Sequence, residues 1–336
     1  MYLNYYNYIL FFPMILISSM MIFISESWFS MWMIMEINMI SFIMFMNFDK
    51  MKNFSNLLNY YFVQTLNSYL FLMFSFLLIY FNYLNDLFYM MMIFSMLVKI
   101  GIWPFYLWLK NLIYNMNWIT IFIILSIQKL IPMYILLMIF QNFLNIWMFL
   151  ILMINLFYSS FMGLSMSNFK MLIIYSSMIQ NSWMIFMMII NENLFLKYFI
   201  YYLLIMMNLC MILNMMNMNK MNNYNYLFLK NKKLFFLMNF MILSLAGIPP
   251  FFGFSLKIIA IDMFKDLNLM YYSIFMILIS VMSMFFYIRM ILLNILMIFL
   301  KNKLNWFNLF FFEKIKFNII YLNLFMLLLF FIFMYL

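Results

Sequence analysis

Apolar runs long enough to cross a bilayer as helices, about 20 residues at 1.5 Å each, follow one another along almost the whole sequence. They define eleven spans: 5-24, 27-47, 57-82, 87-109, 118-140, 143-163, 169-190, 194-216, 234-261, 270-297 and 318-335. Of 336 residues, 70% are hydrophobic and 8% charged, against roughly 45–50% and about 25% in an average soluble domain. The excess is spread evenly, with no soluble domain and no linker, so the chain reads as one all-α polytopic membrane domain over 1-336. Helices apolar on every side carry no amphipathic signature, and their Met and aromatic side chains read as packing and lipid contact rather than a cofactor site.

One cysteine and no histidine exclude an internal disulfide, a Cys/His zinc site, Cys-held iron–sulfur clusters and a His-ligated haem. Electron chemistry must therefore take place in another chain, and Cys210 reads as a packed thiol. The four glycines form no G-x-G-x-x-G or P-loop. The net charge of +10 sits in short loops between apolar runs, which membrane topology explains better than nucleic acid does. The opening MYLNYYNYILFFPMIL has neither a secretory basic flank nor the pattern of a mitochondrial transit peptide, so the first segment is expected to be retained. The 46 Met and 47 Phe against a single Arg suggest a very AT-rich gene that reads ATA as Met, as animal mitochondria do.

With eleven spans, twelve lysines fall on the N-terminal side of the membrane (Lys50, Lys52, Lys110, Lys170, Lys220, Lys230, Lys232, Lys233, Lys301, Lys303, Lys314 and Lys316). Only Lys197 and Lys265 fall on the other side, beside Glu26, Asp86, Glu192, Asp262 and Asp266. The positive-inside rule then puts the N-terminus on the matrix or cytoplasmic face and the C-terminus across the membrane. Residues 300-317, LKNKLNWFNLFFFEKIKF, read as a basic interfacial helix on anionic lipid such as cardiolipin, with a solvated loop as the alternative.

Five charges remain inside spans: Glu36, Lys99, Lys129, Lys257 and Arg289. A charge at mid-membrane costs about 2.5–3.5 kcal/mol on insertion scales, and structure alone does not require it. Glu36, in MWMIMEINMISF with Asn38 two residues on, needs a cation or water if ionised; a protonated, hydrogen-bonded glutamate is the plainer reading. Lys99 and Lys129 (in SIQKLIP, beside Gln128 and before Pro132) are lysines able to give up and recover a proton away from water. The plainer reading for Lys99 and Lys129 is snorkelling, although each lies about half a helix from either end. Arg289 stays charged in the basic-side half of its span, where anchoring explains it as well as function does.

LVKIGIWPFYLW, residues 97-108, places a glycine and a proline in mid-span just after Lys99, and AGIPPFFGFSLK, residues 246-257, repeats the pattern before Lys257. Pro104 leaves the carbonyl of residue 100 without its helical donor, and Gly101 permits the distorted backbone; Gly247, Pro249 and Pro250 do the same in span 9. Irregular backbone at membrane depth is tolerated where it is packed in protein or lines a wet cavity. Spans 4 and 9 are five helices apart, which suggests two inverted five-helix repeats, about 5-140 and 143-297, followed by a C-terminal segment and helix, 300-336. The lysine precedes the glycine by two residues in the first break and follows it by ten in the second.

WMIMEINMISFI, YFVQTLNSYLF, LVKIGIWPFYLW, QKLIPMYIL, MLIIYSSMIQNSWM and LSLAGIPPFFGFSLK stand in that order over nearly all of the chain. In them the chain resembles the antiporter-like membrane subunits of the proton-pumping NADH:ubiquinone oxidoreductase, complex I, in particular the mitochondrial subunit 2 family, whose animal form has eleven spans. The resemblance implies two half-channels joined by a polar axis at mid-membrane. It makes Glu36 the acid of the first half-channel, Lys99 its partner in the broken helix, Lys129 the central relay and Lys257 the lysine of the second break. Many relatives have a histidine and a glycine in the segment matching YSSMIQNSW, where this chain has Gln180 and Ser182. A relay there must use amides, hydroxyls and water, with Gln128, Ser176, Ser177 and Gln180 as candidates.

The resemblance further implies a multi-pass protein of the inner mitochondrial membrane with other membrane-arm subunits as partners. NADH, FMN, iron–sulfur clusters and ubiquinone belong to the whole complex, and no cofactor, nucleic acid or soluble substrate is expected on this chain. A stand-alone cation/proton antiporter and a non-pumping scaffold are the competing readings.

Overall fold

Four glycines and five prolines in 336 residues leave most spans nothing to stop the main chain from closing its hydrogen bonds along one helix, as lipid demands. The structure, a computed structural model, describes residues 2–47, 54–143, 146–216, 232–249, 251–266 and 270–304. Pro250, Lys50, Lys52, Lys220, Lys230, Lys314, Lys316, the expected span 318-335 and the interfacial segment beyond Leu304 lie outside the described residues. So do the side chains of Lys232, Lys233, Lys265, Asp266, Lys301 and Lys303.

Regular structure among the described residues is helical, and the chain divides into two compact units, Met1–Asn155 and Leu156–Leu336. The first holds α1 (Tyr2–Met21), α2 (Trp28–Asn47), α3 (Phe54–Tyr80), α4 (Asn85–Ile100), α5 (Leu107–Tyr114), α6 (Trp118–Leu125) and α7 (Ile127–Asn142). Here α3 packs against α2, α4 and α5, while α7 packs against α1, α2, α4 and α6. The division falls inside α8 (Ile146–Ser165). The second unit continues with α9 (Phe169–Ile190), α10 (Glu192–Met216), α11 (Lys232–Ala246), α12 (Phe252–Asp266) and α13 (Met270–Leu304). There α10 packs on α9, α11 and α12, and α13 on α11 and α12.

Seven helical stretches among the described residues are long and apolar enough to cross a membrane, and Leu234–Ala246 is a shorter apolar helix. Expected spans 4 and 9 are each split into two short helices, α4 with α5 and α11 with α12, and no one of the four is long enough to span alone. Span 5 is also split: Ser126, at φ −123° and ψ −76°, separates α6 from α7. Its hydroxyl donates to the carbonyl of Phe122, and the Lys129 amide reaches back three residues to Ser126 O at 3.1 Å. Helix α13 continues past position 297 to Leu304, so the first residues of the expected interfacial segment are its last turns.

Burial separates lipid-facing helices from enclosed ones. On α3, Leu66, Tyr69 and Met73 are exposed, as an apolar face toward lipid is. By contrast, every residue from Met171 to Met188 of α9 is buried, so this helix is the core of the second unit. Arg289, on α13, closes the far end of α8: its guanidinium donates to the carbonyl of Leu164 and, at 3.0 Å, to that of Met166. It supplies donors for carbonyls that the helix end leaves open.

Candidate functional site

In the first unit, the break after α4 is a capped helix end buried among other helices. Gly101, at φ +78°, takes the left-handed conformation; Ile102 N–H donates to Leu97 O at 3.2 Å and Gly101 N–H to Val98 O at 3.2 Å, the paired bonds of a Schellman cap. Trp108 Nε1–H adds a bond to Val98 O at 3.0 Å from beyond the break. Two carbonyls lose their helical donors. The Trp103 amide that would serve Lys99 donates instead to Asn155 Oδ1 at 2.9 Å, and Pro104 has no N–H for Ile100.

Lys99 therefore lies in the last turn of a helix ending inside the protein, 8% exposed, where the negative end of the helix dipole favours a cation. Its Nζ lies 3.2 Å from Met35 Sδ. Glu36, next along α2, is half-buried and accepts a hydrogen bond from the Ser68 hydroxyl. The carboxylate is within electrostatic reach of Lys99 without touching it. Lys129, 3% exposed, is the third residue of α7, directly after the Ser126 interruption. Gln128 Nε2–H donates to Asn38 Oδ1 at 3.1 Å and so ties α7 to α2. One cavity of about 30 Å³ touches both lysines and is lined also by Asn38, Tyr60, Gln64, Trp108 and Gln128.

In the second unit, α11 ends at Ala246 and Gly247 again takes a left-handed conformation, φ +71°. Pro249 and Pro250 have no N–H for the carbonyls of Leu245 and Ala246, so here too two consecutive carbonyls lose their donors. Gln180 Nε2–H takes over one of them, donating to Leu245 O at 2.9 Å, and the Tyr198 hydroxyl bonds to Gln180 Oε1. Lys257 lies ten residues after the glycine, yet its ammonium folds back to it: a Cβ at Gly247 would stand 3.0 Å from Lys257 Nζ. The ammonium faces the Trp183 ring at 5.1 Å, and among the described residues Nζ has no hydrogen-bond partner.

Ser176 and Ser177 both donate to carbonyls of their own helix, those of Ile173 and Ile174, at 2.8 Å. The Ser177 oxygen also pairs with Tyr202. The tyrosines at 198, 201 and 202, whose hydroxyls meet polar partners, and the pair Gln64 and Ser68 were not singled out by sequence reasoning. Gln64 and Ser68 had a usable signal, since two polar residues four apart share one face of a mid-membrane helix. The tyrosines had none: 25 of them occur in the chain, and only packing tells which hydroxyls face polar partners.

Residues 25–287 match the NADH:quinone oxidoreductase/Mrp antiporter transmembrane family. NADH-ubiquinone oxidoreductase chain 2 of Rhipicephalus sanguineus is 32% identical over 79% of this chain and 82% of its own length. The chain 2 of Anopheles gambiae is 28% identical over 83% of each. In fold, the structure is similar to a chain of respiratory complex I from Thermus thermophilus, with TM-score 0.76 at 16% identity over 84% of this chain and 69% of that one. It is also similar to a chain of the Mrp complex from Dietzia, with TM-score 0.71 at 12% identity over 82% and 58%. With its two buried helix breaks, its three enclosed lysines and these matches, the chain belongs to the NADH:quinone oxidoreductase/Mrp antiporter membrane family, in the branch of the NADH-ubiquinone oxidoreductase chain 2 proteins.

Proposed function

We propose that the chain is a membrane-arm subunit of respiratory NADH:ubiquinone oxidoreductase in the inner mitochondrial membrane. In this reading it carries protons, exchanging them through Glu36, Lys99, Lys129 and Lys257. NADH, flavin, iron–sulfur clusters and ubiquinone are handled by other subunits. The observation that carries the reading is the cavity joining Lys99 to Lys129. Two ionisable groups share one cavity, lined by three amides and a phenol among apolar side chains, that is large enough for a water molecule. Burying each lysine for structure alone would be expensive, and a group that trades a proton needs such a neighbour. Glu36 and Ser68 supply an acid at one end of this arrangement; Lys257 is the corresponding base of the second unit.

The left-handed glycine followed by a proline in both breaks supports two inverted repeats, and the lysine asymmetry between loops supports an N-terminus in the matrix and a C-terminus in the intermembrane space. Gln180 stands where many relatives have a histidine; its amide serves the break, and Ser176, Ser177 and Gln128 supply further polar groups along the two units. The test is Lys129→Met, which keeps length and apolar body while removing the ammonium. The complex is expected to assemble at normal yield and to move fewer protons per NADH, or to turn over slowly where transport and electron flow are tightly coupled. NADH oxidation and proton uptake in sealed vesicles, normalised to assembled complex, measure it. Unchanged values for both would remove Lys129 from the mechanism, and transport by the purified chain alone would favour an independent antiporter.

A further inference from the structure

The interruption between α11 and α12 is bridged by one side chain from a third helix. Tyr201, on α10, is 4% exposed. Its hydroxyl donates to Ser244 O at 2.9 Å and accepts from Gly253 N–H at 3.0 Å. Ser244 belongs to the last turn of α11 and Gly253 to the first turn of α12, so a single oxygen atom joins both half-helices. A phenol has one proton to give, and here it goes to a main-chain carbonyl. The fit at the far side is close: a Cβ on Gly253 would stand 2.6 Å from Ser244 O and 2.9 Å from the Tyr201 oxygen.

Lys257 follows Gly253 by four residues on the same helix, about one turn. Its ammonium reaches Gly247, on the other side of the break, only while the start of α12 is held against the end of α11. In the first unit the break is bridged from within: Trp108, on α5, donates to Val98 O on α4. Gln180 in the second unit holds the α11 side, at Leu245 O. In the second unit the Tyr201 hydroxyl, from a third helix, takes hold of both sides.

We propose that Tyr201 is a positioning residue for proton transfer: by tying α11 to α12 it fixes where the Lys257 ammonium stands relative to Gly247 and Trp183. The inference rests on the reading of Lys257 as a proton-exchanging group. Tyr201→Phe removes one oxygen and leaves the ring in place, so packing is kept while both bonds are lost.

The experiment uses the whole complex in sealed vesicles, with protons moved per NADH measured across a pH series. Tyr201→Phe is expected to assemble normally, to lower pumping by roughly fivefold, the factor that one net hydrogen bond represents, and to shift the pH at which pumping is half-maximal. Lys257→Met is expected to lower pumping further, and adding Tyr201→Phe to it should change nothing more, because the tyrosine acts through the lysine. Gly253→Ala, which sets a methyl group against both Ser244 O and the Tyr201 oxygen and so forces the two half-helices apart at the bridge, should reproduce the Tyr201→Phe profile. If Lys257→Met leaves pumping intact, the reading of Lys257 falls and this inference with it. If Lys257→Met impairs pumping while Tyr201→Phe has no effect, or adds to it independently, the positioning role alone is overturned. Failure of both Tyr201→Phe and Gly253→Ala to assemble would make Tyr201 a folding residue and overturn it equally.

Discussion

The two breaks reach one electrostatic arrangement by different routes. In each, a left-handed glycine ends a helix inside the protein, a following proline removes a helical donor, and a buried lysine belongs to the break. In the first, the lysine belongs to the last turn itself, and the break is closed largely by its own segment, through the Schellman bonds and Trp108. In the second, the lysine returns from ten residues downstream, and closure depends on Gln180 and Tyr201 from neighbouring helices. The first break is thus a local property of its sequence; the second is a property of the packing around it. A carboxylate, Glu36, attends the first lysine, whereas the second faces an indole ring.

The comparison is broken most directly at the glycines. Any side chain at a left-handed position costs roughly 1–2 kcal/mol, but the neighbours differ. A Cβ at Gly247 meets Lys257 Nζ, while one at Gly101 runs into the Leu109 side chain. Gly247→Ala is expected to leave assembly largely intact and to cut pumping by on the order of tenfold, since small displacements of a reacting group are costly. Gly101→Ala should instead reduce the yield of assembled complex on native gels. The reverse pattern would mean that Lys257 does not depend on the break.

A smaller effect should separate closure from a distance and closure from within. Gln180→Leu leaves the buried Leu245 carbonyl without its donor and should lower thermal stability of the complex by about 1–3 kcal/mol. Trp108→Phe removes a donor from Val98 O, which keeps the Gly101 amide, and should cost less than about 1 kcal/mol. Equal losses would refute the distinction. Least affected should be the Glu36 side, where Ser68→Ala removes one hydroxyl donor and leaves the carboxyl group in place. Pumping should fall by no more than about threefold, the scale of a modest net hydrogen bond. A loss as large as that of Gly247→Ala would show the acid to be as dependent on its setting as Lys257.

What the sequence disclosed follows the same division. Gly101 with Pro104, and Gly247 with Pro249, announce interruptions because left-handed backbone and a missing amide are local chemistry. The charges Glu36, Lys99, Lys129 and Lys257 stand out because lipid makes them expensive. The interruption at Ser126 was not legible: neither glycine nor proline occurs there, and the nearest proline, Pro132, lies six residues on. Tyr201 was equally hidden, since a tyrosine in such a chain reads as one more aromatic until its hydroxyl is seen between Ser244 and Gly253. The return of Lys257 to Gly247 depends on how the intervening turn folds, which ten residues of spacing do not specify.

Helix α13 holds 35 residues without a break, about 52 Å at 1.5 Å per residue, against a hydrocarbon core of about 30 Å. Unless it tilts steeply, a third or more of it stands outside the apolar layer. Arg289, whose guanidinium grips the end of α8, lies 15 residues before Leu304, about 22 Å along the axis. A displacement of its outer turns is therefore opposed at two places, the Arg289 bonds to the end of α8 and the packing of the helix on α11 and α12.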